Sequence, residues 1–114
     1  MIYKKSKILF IGTVEFSYRA LLALIENKFD IVGVLTKGES NFNSDYYDLT
    51  PLAKVNNIPI FYRTKDNKDE IISFINSKNP DVIYCFGWSH IITKNILSIP
   101  KHGVIGFHPA ELPN

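Results

Sequence analysis

Apolar runs of strand length alternate with segments whose apolar residues recur every three or four positions, and the alternation persists from Lys7 to Phe107. Lys7-Ile-Leu-Phe-Ile11 is a continuous apolar run, the pattern of a strand buried on both faces of a parallel sheet. Gly12 ends it, and Thr13 is placed to cap a helix on which Phe16, Ala20, Leu21, Leu24 and Ile25 share a face through Asn27. Asp30-Ile-Val-Gly-Val-Leu-Thr36 reads as a second buried strand and completes a βαβ unit.

Lys37 to Asp48 breaks this rhythm. The segment has no hydrophobic period and carries Phe42, Tyr46 and Tyr47 among Gly, Ser, Asn and Asp, the composition of a functional or mobile loop. Its aromatics suit stacking on a base or sugar, although packing the loop down is the commoner use of such residues. Thr50-Pro51 predicts an N-cap with proline at the first helical position of a short helix ending at Val55. Ile58-Pro-Ile-Phe-Tyr62 follows as a third strand, at a sheet edge because Pro59 has no N–H to donate. Asn67 and Glu70 have capping-box spacing for a helix carrying Ile71, Ile72, Phe74 and Ile75, which stops before Asn79-Pro80. Asp81 to Phe86 is the fourth strand and Gly87-Trp-Ser-His90 its turn. Thr93 caps a helix through Leu97, and Val104 to Phe107 is the fifth strand.

The succession βαβαβαβαβ predicts an α/β protein, an open, mostly parallel doubly wound (Rossmann-like) sheet with helices on both faces. With strand order 3-2-1-4-5 the topological switch falls between the first and fourth strands, and ligands bind outside the carboxyl ends there. Gly12-Thr13, the turn from Gly87 to Ile91, and His108 after the fifth strand then converge on one crevice. His108 alone reads more readily as a structural histidine than as a catalytic one; Pro109 holds it extended, and its place at the crevice tips the reading towards catalysis.

Composition removes several function classes. The 114 residues suit one domain, and a formal net charge of +2 makes no electrostatic case for a nucleic acid or a membrane surface. Lys4, Lys5 and Lys7 read as a solvated cluster. Cys85, the only cysteine, lies in an apolar run and reads as a small hydrophobe, with no disulfide partner and no metal-ligand spacing. Ile8 to Ile11 is too short for the core of a secretory signal, and no stretch approaches the ~20 apolar residues of a membrane helix, so a cytoplasmic setting is expected. Gly12-Thr-Val-Glu-Phe lacks the further glycines of a dinucleotide fingerprint, and there is no Walker motif.

Five segments, Ile11-Gly-Thr-Val-Glu-Phe-Ser17, Val34-Leu-Thr-Lys37, Ser40-Asn-Phe-Asn-Ser-Asp45, Asp81-Val-Ile-Tyr-Cys-Phe-Gly-Trp88 and Gly103-Val-Ile-Gly-Phe-His-Pro-Ala-Glu-Leu-Pro113, resemble in order and spacing the N-terminal domain of folate-dependent formyltransferases. The Ser40–Asp45 and Phe107-His-Pro-Ala110 segments are similar to the branch that formylates nucleotide-linked amino sugars. The resemblance implies transfer of a formyl group from 10-formyltetrahydrofolate, without a metal, to a primary amine of a small-molecule amino-sugar nucleotide. It implies His108 as the catalytic imidazole, and Phe86, Gly87, Trp88, His90 and Ile91 as the folate-binding turn. Gly12, Thr13, Asn41 and Tyr46 are the expected substrate side. The family's strand-5 motif is Asn-x-His, and its asparagine maps onto Gly106, which has no side-chain donor.

The same resemblance makes residues 1–114 an N-terminal formyltransferase domain incomplete at its C-terminal end, lacking the family's downstream aspartate. An uncovered fifth strand predicts self-association, or pairing with the missing C-terminal portion. Besides the sugar-nucleotide formyltransferase, two alternatives remain open: a truncated or degenerate binding module that holds folate or nucleotide without turnover, and a methionyl-tRNA formyltransferase-like protein.

Overall fold

The computed structural model describes residues 5–38, 46–88 and 93–107. β1 (Lys7–Ile11), β2 (Asp30–Lys37), β3 (Ile60–Arg63), β4 (Val82–Phe86) and β5 (Val104–Phe107) form a five-stranded sheet in the order β3-β2-β1-β4-β5. Every pairing is parallel, as the continuous apolar runs predict. The helices are α1 (Glu15–Glu26), α2 (Thr50–Val55), α3 (Lys68–Lys78) and α4 (Lys94–Leu97).

Alternation along β1 divides the core. Ile8 and Phe10 point to one face, where they pack with Leu21 of α1 and Leu52 and Ala53 of α2; Leu9 and Ile11 point to the other, against Ile71 and Ile75 of α3 and Ile96 of α4. Because α1 and α2 cover one face and α3 and α4 the other, the chain reverses its winding between β1 and β4. The carboxyl ends of those neighbouring strands diverge into turns at that point.

Several local expectations are corrected. The α1 N-cap is Val14, not Thr13, and its backbone N–H is met by the side chain of Ser17 at the third helical position; the Thr13 hydroxyl is drawn into another bond described below. At α2 the cap is Leu49 rather than Thr50; Asp48 Oδ1 accepts from the Thr50 N–H at 2.9 Å, and the Thr50 hydroxyl bonds Tyr62 Oη at 2.7 Å. Asn67 does cap α3, but the capping box does not form. Its side chain turns back to accept from the Thr64 N–H and donate to the Tyr62 carbonyl, at 2.9 and 2.8 Å. β3 begins at Ile60 because the Ile58 N–H closes the end of α2 on the Ala53 carbonyl, at 2.9 Å. Pro59 does sit at an edge strand, contributing only its carbonyl, to the Val34 N–H at 2.9 Å.

The amino edge of the sheet is pinned by Asp81. Its carboxylate accepts from the Lys7 N–H at 2.8 Å, its N–H donates to the Lys7 carbonyl at 2.8 Å, and its carbonyl accepts from His102 at 2.7 Å. The Lys7 amide, opposed in part by desolvation and helped by Lys101 at 4.0 Å, holds the Asp81 carboxyl below its ordinary value. A lowered folded-state pKa stabilises the fold above the unfolded value of about 3.9 and is lost as pH falls through the folded value. Asp81→Asn is therefore expected to lower the melting temperature at pH 7, with the gap from wild type closing below about pH 4. A gap that stayed constant down to pH 2 would contradict the assignment.

On the α1 side, β4 and β5 are thinly covered among the described residues. Ile105 and Phe29 are 49% and 48% exposed, and a cavity of about 470 Å³ lies there, lined in part by Ile8, Val82, Tyr84 and His102. It opens towards the amino ends of the strands, away from the switch point.

Candidate active site

At the switch point the turn after β1 and the turn after β4 are locked together. Ser17, fully buried in the first turn of α1, accepts from the N–H groups of Thr13 and Val14, both at 3.2 Å, and donates to the Phe86 carbonyl at 2.5 Å. Thr13 is 3% exposed; its hydroxyl donates to the Gly87 carbonyl at 3.2 Å and its carbonyl accepts from the Tyr47 N–H at 2.8 Å. Gly12 donates to the Leu35 carbonyl at 3.2 Å.

Both glycines are demanded by this closeness. A Cβ on Gly12 would lie 2.6 Å from the Phe86 carbonyl oxygen and from Ser17 Oγ. Gly87 has φ +70°, and a Cβ there would lie 2.5 Å from Val14 Cγ2 and 2.7 Å from Ser17 Oγ. The space each glycine leaves is thus filled by the protein's own side chains.

The other expected site residues that the structure describes fall around this lock. Phe86 extends to the α1 face, stacked at 5.8 Å on both Phe16 and Tyr84 and tilted against Phe10 at 5.9 Å. Trp88 is buried on the opposite face with Ile11, Leu35 and Ile96. Tyr46 forms an antiparallel bridge with Val14 and donates from its hydroxyl to the Lys37 carbonyl at 3.3 Å; the Tyr47 ring packs on Tyr18 at 4.8 Å. The returning limb of the long loop is therefore stitched to the β1 turn. Gly12, Thr13, Tyr46, Phe86 and Gly87 meet at one end of the sheet. His108, His90, Ile91 and Asn41 lie outside the described residues; β5 reaches Phe107, in register with Phe86, immediately before His108 in the chain.

Ser17 carries no role in the sequence reading. Its signal is a small polar residue on the stripe that continues through Leu21, four positions after Thr13. Cys85 behaves as the apolar run implies: burial pushes its thiol up to about 11, so it stays protonated at neutral pH. Among the described residues no group of His, Cys, Asp and Glu could hold a metal ion, and no helix is long and apolar enough to cross a membrane.

Residues 5–114 match the family model described as formyl transferase. The chain belongs to the formyl transferase family. It is 36% identical over 111 residues to methionyl-tRNA formyltransferase of Clostridioides difficile (strain 630), and 33% identical over 111 residues to that of Thermotoga maritima. Each alignment covers 94% of this chain but 36% of the relative, so the chain spans about a third of the length of these curated relatives. Glycinamide ribonucleotide transformylase 1 from Geobacillus kaustophilus superposes with a TM-score of 0.70 at 16% identity, over 96% of this chain and 61% of that one, a likeness of fold.

Within this formyl transferase chain, the motif glycine at 106 has room to spare. Among the described residues a Cβ there would meet only the Cys85 carbonyl oxygen, at an ordinary 3.6 Å, and its φ is not left-handed. Gly106→Asn is expected to fold with a melting temperature equal to or above wild type, since glycine weakens a strand interior. A fall of more than a few degrees in a thermal melt would show that β5 needs glycine for a reason its geometry does not contain.

Proposed function

We propose that the full-length protein transfers a formyl group from 10-formyltetrahydrofolate to a primary amine at the carboxyl ends of β1 and β4. Residues 1–114 form the N-terminal part of that formyltransferase domain. The reading is carried by one observation: in a chain of this family, the β1 and β4 turns meet at the switch point, braced by Ser17 and Thr13.

In the proposed reaction the amine nitrogen attacks the formyl carbon, its C–N bond forms, and a tetrahedral oxyanion develops. Collapse breaks the bond to N10 of the folate, releasing tetrahydrofolate and the formamide. One proton leaves the attacking amine and one reaches N10, and His108 is the residue of this chain suited to carry it. The turn from Phe86 to Ile91 is the donor side. Gly87 belongs to it through backbone shape, since its missing Cβ accommodates Val14 and Ser17. Gly12, Thr13, Asn41 and Tyr46 form the amine side, with Thr13 acting through its placement because its hydroxyl and carbonyl are bonded internally. Gly106 leaves the oxyanion donor to be supplied from elsewhere, by backbone N–H groups.

For the acceptor, the Ser40–Asp45 segment supports a nucleotide-linked amino sugar, a small molecule in keeping with the modest net charge. The names of the sequence relatives favour a second reading, methionyl-tRNA. Folate chemistry and a single, half-buried free thiol accord with a cytoplasmic setting. Calorimetric titration of the full-length protein with a non-transferable 10-formyltetrahydrofolate analogue, and separately with each acceptor, tests the assignment. Saturable heat from the analogue and from one acceptor is the expected result. Absence of heat from the analogue would remove the formyl-transfer reading.

A further inference from the structure

We infer that Ser17 is a positioning residue of the formyl-transfer site, a brace whose hydroxyl fixes the separation of the donor turn from the amine turn. The inference rests on the proposed function, and it concerns a side chain that touches neither substrate.

One bond of this hydroxyl, from the N-cap Val14 N–H, is ordinary helix capping by an N3 side chain; the bond it donates is not. A serine within a helix commonly bonds back to a carbonyl one turn earlier in its own helix. Ser17 instead donates across to the Phe86 carbonyl at the end of β4, while accepting from Thr13 and Val14 in the β1 turn. One oxygen therefore joins segments 69 residues apart in sequence. Its place is reserved from two directions, because a Cβ on either Gly12 or Gly87 would come within 2.7 Å of Ser17 Oγ. The Thr13 hydroxyl makes a parallel tie to the Gly87 carbonyl. The β1–β4 ladder ends at Ile11 and Cys85, and the Asp81–Lys7 bonds lie at the opposite, amino end of the sheet. Beyond Ile11 and Cys85, these side-chain ties decide how far the turns stand apart.

Removing the hydroxyl leaves two amides and one carbonyl without it beside the buried Thr13 and Ser17, so the turns must shift to recover solvent or other partners. Catalysis by approximation is sensitive to such a movement: a displacement on the order of 1 Å costs about a hundredfold in rate.

The test uses the full-length protein with Ser17→Ala, with Ser17→Cys as a milder variant that keeps the volume and a weak donor. Ile58→Ala, a core residue in the connection between α2 and β3, serves as a destabilised control. Amide hydrogen exchange should accelerate at Thr13 and Val14 in both serine variants and stay at wild-type rates in the control. Turnover should fall roughly a hundredfold in Ser17→Ala and less in Ser17→Cys, while affinity for a non-transferable 10-formyltetrahydrofolate analogue falls about tenfold or less. Unchanged exchange at Thr13 and Val14 would overturn the brace. Faster exchange with unchanged turnover, or a turnover loss equal to that of Ile58→Ala, would reduce Ser17 to a structural residue. If wild-type protein itself neither binds the analogue nor turns over, the proposed function fails, and that result is distinct from any difference among variants.

Discussion

Gly87→Ala should destabilise the fold by about 2–4 kcal/mol, through left-handed backbone strain and overpacking at the same atom. The backbone at Gly87 has φ +70°, and an added Cβ meets Val14 Cγ2 at 2.5 Å and Ser17 Oγ at 2.7 Å. Three other glycines separate the two contributions. Gly103 has φ +87° with nothing within 4 Å of a Cβ, so Gly103→Ala carries strain alone and should cost about 1 kcal/mol. Gly12 has no left-handed φ but faces the Phe86 carbonyl and Ser17, so Gly12→Ala carries overlap alone. Gly38 has neither among the described residues, and its replacement should be close to neutral. Chemical denaturation of the four variants should rank Gly87 as most harmful and Gly38 as least. If Gly87→Ala proved no worse than Gly103→Ala, the packing of the β1 turn against the β4 turn would be looser than described.

His108→Ala should lower formyl transfer by roughly 10²–10⁴-fold, the range for loss of a general acid–base group, while analogue binding stays within a few-fold. The expectation follows from the proposed function and from sequence position: β5 ends at Phe107, paired in register with Phe86, and His108 is the next residue in the sequence. A proton-carrying role also predicts that the rate of the wild-type protein falls as pH drops through the histidine range, and that the alanine variant loses this limb. A rate within tenfold of wild type, with the limb intact, would show the histidine to be structural.

The fold was legible because strand burial and helix spacing are written in the sequence at nearest-neighbour range. Lys7-Ile-Leu-Phe-Ile11 has no polar interruption because both of its faces are covered, by α1 and α2 on one side and α3 and α4 on the other. Helix ends were less legible, since Thr13, Thr50 and Asn67 are all residues that cap helices, yet each spends its side chain on a partner outside the helix. The candidate site divides on the same line. Gly12 and Gly87 stand out as turn glycines, but their necessity comes from one another's neighbours across β1 and β4, a relation that no local spacing encodes. Ser17 was missed for that reason: its acceptor, the Phe86 carbonyl, is 69 residues away in the chain and is backbone, so it leaves no mark on the sequence. Trp88 illustrates the opposite ambiguity, being both part of the expected folate turn and a buried member of the α3 and α4 core.

The central claim is formyl transfer at this crevice, and its most direct measurement is amine-dependent release of tetrahydrofolate from 10-formyltetrahydrofolate by the full-length protein. Wild-type protein and His108→Ala should be compared with a nucleotide-linked amino sugar and with methionyl-tRNA. The account predicts stoichiometric release and formamide formation with one acceptor, lost in the variant. Folate left intact by wild-type protein with both acceptors would contradict it.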